Sequence, residues 1–318
     1  MSEERSVLIV GAGTMGHGIA VCFVDAGWRV ILVDPDDAAL ARARLSIASA
    51  LDLFSRIDGS PDSRREGALK LLSTTVDMPD CVPDFAIETV PEELELKRRV
   101  LREIESRAAS DAVICSNTSA LAISSLAEGM KHPERFLGTH FWNPPYILPC
   151  VEVVPGRHTA LVAVERTVDV LRLVGRRPVA LKHDLPGFVG NRLQHAMQRE
   201  AMAIVESGAI SPEDLDDIVR NSFGLRAALL GPFERADLGG IDVTTRVQEY
   251  LLPFLEDAKI PSGLLTDRVE RGDLGAKTGR GFFDWDEEEV RRRVESRDEA
   301  LLRIVRLLRT AEENDGNR

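Results

Sequence analysis

The chain has 318 residues, with 40 Lys and Arg against 52 Asp and Glu, and a formal net charge of −12. That balance speaks against binding nucleic acid or an anionic membrane. No apolar run reaches the ~18 residues needed to span a bilayer, and the length sets two domains as the prior.

Ser6 to Val10 reads as a strand, and Gly11-Ala12-Gly13-Thr14-Met15-Gly16 follows it directly. Met15–Ala26 reads as a helix. The apolar run after it, with a strand over Arg29–Val33, ends in Asp34. This is a complete strand, glycine turn, helix, strand and acid unit, the pattern of a dinucleotide-binding βαβ fold. Gly11 permits a tight turn, Gly13 lets a pyrophosphate approach the backbone, and Gly16 lets the helix lie close on the strand. Thr14 and Met15 open the helix, whose N-terminus favours phosphate. Asp34 can accept two hydrogen bonds from a ribose diol and would repel a 2′-phosphate. The cofactor expected is NAD rather than NADP. A glycine-rich turn with no dinucleotide is the alternative.

Further strands are expected at Phe85–Glu88, Val113–Ser116, Phe136–His140, Val151–Val154 and Val179–Leu181. Helices are expected at Ala38–Leu53, Leu94–Arg107, Ile123–Glu128 and Leu161–Val174. Residues 54–68 are polar, hold Gly59, Pro61 and Gly67, and read as a loop. The alternation implies a doubly wound parallel sheet of Rossmann type, with ligands at the carboxyl ends of the strands. After Asp184-Leu185-Pro186-Gly187 a helical period takes over, at Phe188–Ser207, Pro212–Asn221, Ile241–Asp257 and Leu264–Arg271. We therefore expect a cofactor domain over 1–184 and an all-helical substrate and dimerisation domain over 185–318. The charged tail after Asp286 is read as a surface helix that docks or pairs, with disorder from Glu312 to Arg318. Met1 to Arg5 has no signal-peptide character. Cys22, Cys81, Cys115 and Cys150 sit far apart in apolar runs, as buried free thiols of a cytoplasmic protein do. No cluster has metal-ligand spacing.

Among six histidines, His140 stands out because it ends a strand at the ligand-bearing edge. Glu152 lies inside the apolar run Cys150 to Val154, where a carboxylate is costly unless paired. A strand–turn–strand arrangement through Asn143-Pro144-Pro145 would set the two side by side, with Glu152 fixing the imidazole tautomer. An ordinary edge histidine and a surface glutamate are the alternative. Ser119 follows a strand in Ser116-Asn117-Thr118-Ser119 and serves equally as a turn or cap. Asn191 is an amide among apolar residues and needs a partner. Gly275 to Gly279 is either a plain turn or a loop that brings Lys277 to an anion.

Taken together, these residues resemble the L-3-hydroxyacyl-CoA dehydrogenase family from about Val7 to Trp285. The ordered motifs are Gly11-x-Gly13-x-x-Gly16, Val90-Pro91-Glu92, Ser116-Asn117-Thr118-Ser119, His140-Phe141-Trp142-Asn143-Pro144, Pro186-Gly187-Phe188 with Asn191-Arg192, Gly231-Pro232-Phe233-Glu234, and Lys277-Thr278-Gly279-x-Gly281-Phe282. The resemblance implies that His140 is the acid/base and Glu152 its orienting partner. It implies that Ser119 and Asn191 bond the reacting oxygen or a neighbouring carbonyl, and that Asn143 holds the nicotinamide side. Glu92, Lys97 and Lys277 match positions near the cofactor. The family is usually dimeric through its helical domain, so a homodimer acting on a small-molecule substrate is expected.

Two departures bear on the substrate. Acyl-CoA members carry, in a helical arm after the second strand, a Lys that helps hold CoA phosphates. Here Leu51 to Leu69 is short and Lys70 is the nearest lysine, with Arg56, Arg64 and Arg65 as possible substitutes. The His140 to Tyr146 segment and the charged tail look more like relatives acting on free polar acids: gulonate dehydrogenases of the lambda-crystallin group, carnitine dehydrogenases, and a pyridine-aldehyde dehydrogenase. The reading is NAD-dependent oxidation of an L-3-hydroxyacyl substrate, with acyl-CoA placed ahead of a free polar acid or ring substrate. A non-catalytic NAD-binding structural protein is the alternative from another class.

Overall fold

The computed structural model describes residues 5–59, 61–80 and 83–315. Its framework is one eight-stranded sheet in the order β3-β2-β1-β4-β5-β6-β7-β8. In chain order the elements are β1 (Ser6–Val10), α1 (Thr14–Asp25), β2 (Arg29–Val33), α2 (Asp37–Asp58), α3 (Asp62–Lys70), β3 (Leu72–Thr75), β4 (Phe85–Glu88), α4 (Leu94–Arg107), β5 (Val113–Ser116), α5 (Ile123–Leu126), β6 (Phe136–Phe141), β7 (Cys150–Pro155), α6 (Leu161–Leu173) and β8 (Arg177–Ala180). Every pairing is parallel except β6 with β7. The strands read as near-continuous apolar runs because both faces are covered. Val7 and Ile9 of β1 join a core with α1, α2 and α6 on one face, and Leu8 joins Leu101 and Ile104 of α4 on the other. The doubly wound sheet expected from the alternation is present.

The expected loop over 54–68 is largely helical, with α2 reaching Asp58 and α3 starting at Asp62. α2 runs on to Asp58, where Gly59 at φ 66° closes it, as a left-handed residue commonly does after a helix. β3 was not anticipated. Of its four residues Leu72-Ser73-Thr74-Thr75 only Leu72 is buried, so an edge strand here leaves no alternating pattern.

Contacts between Cα atoms divide the chain into two units, Met1–Val189 with Val294–Arg318, and Gly190–Arg293. The second holds α7 (Gly190–Glu206), α8 (Pro212–Asn221), α9 (Phe223–Ala227), α10 (Pro232–Gly239), α11 (Ile241–Leu251) and α12 (Gly263–Arg271). The helix expected over Ile241–Asp257 stops at Leu251 and tightens into a 3₁₀ turn over Leu252–Phe254. Pro253 removes a backbone donor there.

The block expected over 185–318 therefore does not hold together. α13 (Glu287–Asp315) begins in the second unit and continues into the first. Leu302 and Asp298 are buried there. The Tyr146 hydroxyl bonds Asp298 at 3.1 Å, and Arg306 donates to Asp58 at 3.1 Å. The disorder expected from Glu312 is corrected in part, because α13 is helical to Asp315, and 316–318 lie outside the described residues. Cys22 and Cys115 are buried free thiols and Cys150 is half-buried, while Cys81 lies outside the described residues. Burial pushes the Cys115 thiol up to about 12. No helix among the described residues is long and apolar enough to cross a membrane.

Candidate active site

The glycine turn closes on itself before any ligand is considered. Gly11 has φ 107°, and its N–H bonds the Val33 carbonyl at 2.7 Å. A Cβ on Gly16 would stand 1.8 Å from the Gly11 carbonyl oxygen, whereas one on Gly13 would meet nothing within 4 Å. Gly16 is thus required for packing, and Gly13 faces open space that a methyl group would fill. No side chain caps the N-terminus of α1, which leaves its first N–H groups for an anion. Thr14 is exposed and Met15 half-buried at that end. Asp34 accepts from Ala12 N–H at 2.8 Å and Asp36 N–H at 2.9 Å. The carboxylate is thereby fixed at the edge of the turn. The donor set fits a dinucleotide pyrophosphate and ribose. His17, one turn into α1, meets the Gly13 carbonyl through Nδ1 at 2.9 Å, and burial lowers its pKa.

His140 and Glu152 are directly paired residues across the antiparallel β6–β7 ladder. Cross-strand partners on one face stand close enough to touch, and here Nδ1 lies 2.8 Å from Glu152 Oε2. Both residues are about 95% buried, at 4% and 5% relative exposure. A carboxylate only accepts, so Nδ1 is the donor of this bond and Nε2 is the ring nitrogen left outside it. The other Glu152 oxygen accepts from Val189 N–H at 2.9 Å. Gly187 and Phe188 turn the chain into that position with φ of 71° and 51°. The Phe188 and Trp142 rings lie 5.6 and 4.9 Å from the imidazole, which walls it with apolar surface. Asn117 Oδ1 accepts from Phe141 N–H at 2.9 Å and ties β5 to the same edge.

A second polar centre lies at the ends of β4 and β5. Glu88 is fully buried and accepts from Lys97 Nζ at 2.9 Å, Val90 N–H at 2.6 Å and the Ser116 hydroxyl at 2.5 Å. Burial raises its pKa against the pull of Lys97. Lys97 also donates to the Val90 carbonyl and lies 3.3 Å from Glu92. Glu92 Oε1 accepts from the Thr118 hydroxyl at 2.5 Å and from Ser119 and Ala120 N–H at 2.9 Å each. Burial pushes Glu92 upward, but those bonds and Lys97 outweigh it and the net shift is downward. Glu92 thus spends one oxygen on the turn that carries Ser119, and Lys97 ties Glu92 to Glu88 and the Val90 carbonyl. Glu88 was missed by sequence reasoning. Its signal was the one that exposed Glu152, a carboxylate closing an apolar strand.

Asn143 is exposed in the connection from β6 to β7. Asn191, in the first turn of α7, and Lys277, in the 3₁₀ turn Ala276–Thr278, belong to the second unit.

The fold, the glycine turn and the fixed acid define an NAD-dependent oxidoreductase. Residues 6–185 match the family model for the NAD-binding domain of 3-hydroxyacyl-CoA dehydrogenase, and residues 187–285 match the model for its C-terminal domain. The chain belongs to the 3-hydroxyacyl-CoA dehydrogenase family. It is 34% identical over 306 residues to a 5-formyl-3-hydroxy-2-methylpyridine 4-carboxylate 5-dehydrogenase of Mesorhizobium japonicum, covering 96% of this chain and 98% of that one. A solved structure of such a pyridine carboxylate dehydrogenase, described as an NAD+-dependent dismutase, superposes with a TM-score of 0.90 at 33% identity over 96% of this chain and 98% of that chain. The (S)-3-hydroxybutyryl-CoA dehydrogenase of Ralstonia eutropha gives 0.74 at 32% identity over 90% of this chain and 100% of that chain.

Proposed function

We propose that this enzyme oxidises a free polar hydroxy acid or a ring carboxylate, with His140 as its acid/base. The observation that carries the reading is the buried 2.8 Å bond between His140 Nδ1 and Glu152. It aims a basic Nε2 out of the pair and stabilises the imidazolium formed when Nε2 takes the substrate's hydroxyl proton. Bound NAD supplies the hydride acceptor. Trp142 and Phe188 limit water at the imidazole, which strengthens its exchange with the substrate oxygen. The Ser119 hydroxyl and the Asn191 amide are assigned to the reacting oxygen on the strength of the family resemblance. Asn143 and Lys277 are assigned to the cofactor on the same ground. A protein that only bound NAD would have no use for a buried histidine–carboxylate pair.

The sequence placed acyl-CoA ahead of a free acid, and the ion pairs of Arg64 and Arg65 support the opposite order. CoA phosphates need uncommitted cations on the arm after β2, and two of the three arginines there are committed to the chain's own acids. Arg64 donates to Asp25 at 2.9 Å and to Asp58 at 3.4 Å, and Arg65 pairs with Asp52. Arg306 of α13 adds a further bond to Asp58. The likeness to the pyridine carboxylate enzyme also covers more of the chain than the likeness to the hydroxybutyryl-CoA enzyme. The test follows NADH loss with acetoacetyl-CoA, and NADH formation with gulonate, carnitine and hydroxymethyl-pyridine carboxylates. Turnover confined to the free acids supports the reading, and fast NADH loss with the CoA ester overturns it.

A homodimer built on the second unit is part of this reading. Helices α7 to α12 bury no side chain. Phe233, Tyr250, Phe254 and Ile260 are each more than 70% exposed. Soluble monomers rarely leave so much apolar surface uncovered. Light scattering across a dilution series should give twice the chain mass, and one chain mass throughout would refute the dimer.

A further inference from the structure

α13 lies beyond residue 285, where the family models end, and nothing in the dehydrogenase reading uses it. Its docking on the first unit creates a pocket of about 440 Å³. Four guanidinium groups line that pocket, from Arg64, Arg176, Arg306 and Arg309, with only two carboxylates, Asp25 and Asp58. Asp25 pairs with Arg64, and Asp58 with Arg64 and Arg306. Arg176 and Arg309 meet no carboxylate among the described residues. Arg176 donates to the Pro145 carbonyl at 3.0 Å and to the Val174 carbonyl at 3.4 Å, and Arg309 to the Gly175 carbonyl at 3.3 Å. In a chain with a net charge of −12, two such cations facing one cavity are a local excess over the carboxylates among the described residues that line it. The rest of the lining mixes apolar side chains, Phe54, Ile147, Leu302 and Val305, with Cys22, Tyr146 and Thr310.

We infer that this pocket is a second ligand site, which takes a small organic anion through Arg176 and Arg309 and seats its apolar part on Phe54 and Leu302. A guanidinium offers a planar fork of five donors, and neither the two carbonyls on Arg176 nor the one on Arg309 exhausts it. The volume suits a compact metabolite. None of the residues lining it belongs to the glycine turn or to the His140–Glu152 pair. The site does reach the catalytic edge indirectly. Pro145, whose carbonyl Arg176 holds, lies in the connection from β6 to β7, two residues after Asn143.

The test is calorimetric titration of the NADH-saturated enzyme, so that the cofactor site is filled. Phenyl phosphate and inorganic phosphate are the probes. Phenyl phosphate should bind the tighter of the two, because its ring reaches the apolar wall. Binding should weaken about tenfold in Arg309→Ala and further in Arg176→Met/Arg309→Ala, the loss expected for a charge-assisted contact. Arg309 is exposed on the last turns of α13, so its substitution leaves folding intact, and the NADH affinity of each variant checks this. Absence of heat with either probe overturns the site. So does equal binding by wild type and the double variant, which places the anion elsewhere. Equal affinity for the two probes removes the apolar wall from the proposal.

Discussion

Val7, Leu8 and Ile9 of β1 have no exposure at all, whereas α7 to α12 of the second unit bury no side chain. The first unit therefore carries its own core, and that core positions both polar centres. Each centre is a set of strand-end side chains whose spacing is set by sheet register, His140 against Glu152 in one and Glu88 against Ser116 in the other. The second unit presents exposed apolar side chains such as Phe233, Tyr250 and Phe254, which the proposed homodimer would cover. Substitutions in the first should report chemistry or folding. Substitutions at the exposed apolar positions of the second, away from Asn191 and Lys277, should report association.

The sharpest break is His140→Gln. It removes the base and keeps the size, so kcat should fall by ~10²–10⁴-fold while NADH still binds with near-normal affinity. A near-normal rate would strip His140 of its role. Lys97→Met breaks the other centre. It leaves Glu88 buried without its cation, at a cost of ~3–5 kcal/mol. Its midpoint in urea should drop well below that of wild type. An unchanged midpoint would mean that Glu88 is held neutral by burial alone. Glu152→Gln should cost less in kcat than His140→Gln, because the base remains while its tautomer and orientation are loosened. A loss as large as that of His140→Gln would make the carboxylate's charge, rather than its placement, the main contribution.

The legible parts of the molecule are those where local pattern and tertiary role coincide. β1, α1 and β2 combine an apolar period with glycines whose backbone demands are visible in the sequence. Glu152 was legible because a carboxylate interrupts an apolar run, and its partner was placed by strand register. Glu88 sent the same signal from the end of its strand, where it was taken for a boundary. β3 is hidden by Ser73 and Thr74, which suit a half-covered edge as well as a loop. The return of α13 could not be read. Its sequence stripe of Ala300, Leu301, Ile304, Leu307 and Leu308 says that it docks or pairs, yet the side that packs carries Leu301, Leu302 and Val305, while Ile304 and Leu307 stay exposed. The pairing of Arg306 with Asp58 spans most of the chain and has no local trace.

The smallest expected effect is also the most selective. Glu92 titrates below its ordinary range in the folded chain, so its contribution to stability is present above the unfolded carboxylate pKa. That contribution is lost as pH falls through the lower folded value. Glu88 is shifted the other way, so its contribution is fully present below the unfolded carboxylate pKa and is lost as pH rises through its folded value. The two tend to cancel in the wild-type acid profile. Glu92→Gln removes one of them and exposes the other. The difference in melting temperature between wild type and Glu92→Gln should be largest at neutral pH and shrink on acidification through the carboxylate range. A difference that stays constant across that range would mean that Glu92 holds the Ser119 turn by shape and hydrogen bonding alone. Because Thr118, Ser119 and Ala120 all donate to one oxygen, a neutral amide oxygen at that point accepts them less strongly. Ser119 should then lose its placement before the fold loses stability, and kcat should fall while NADH affinity holds.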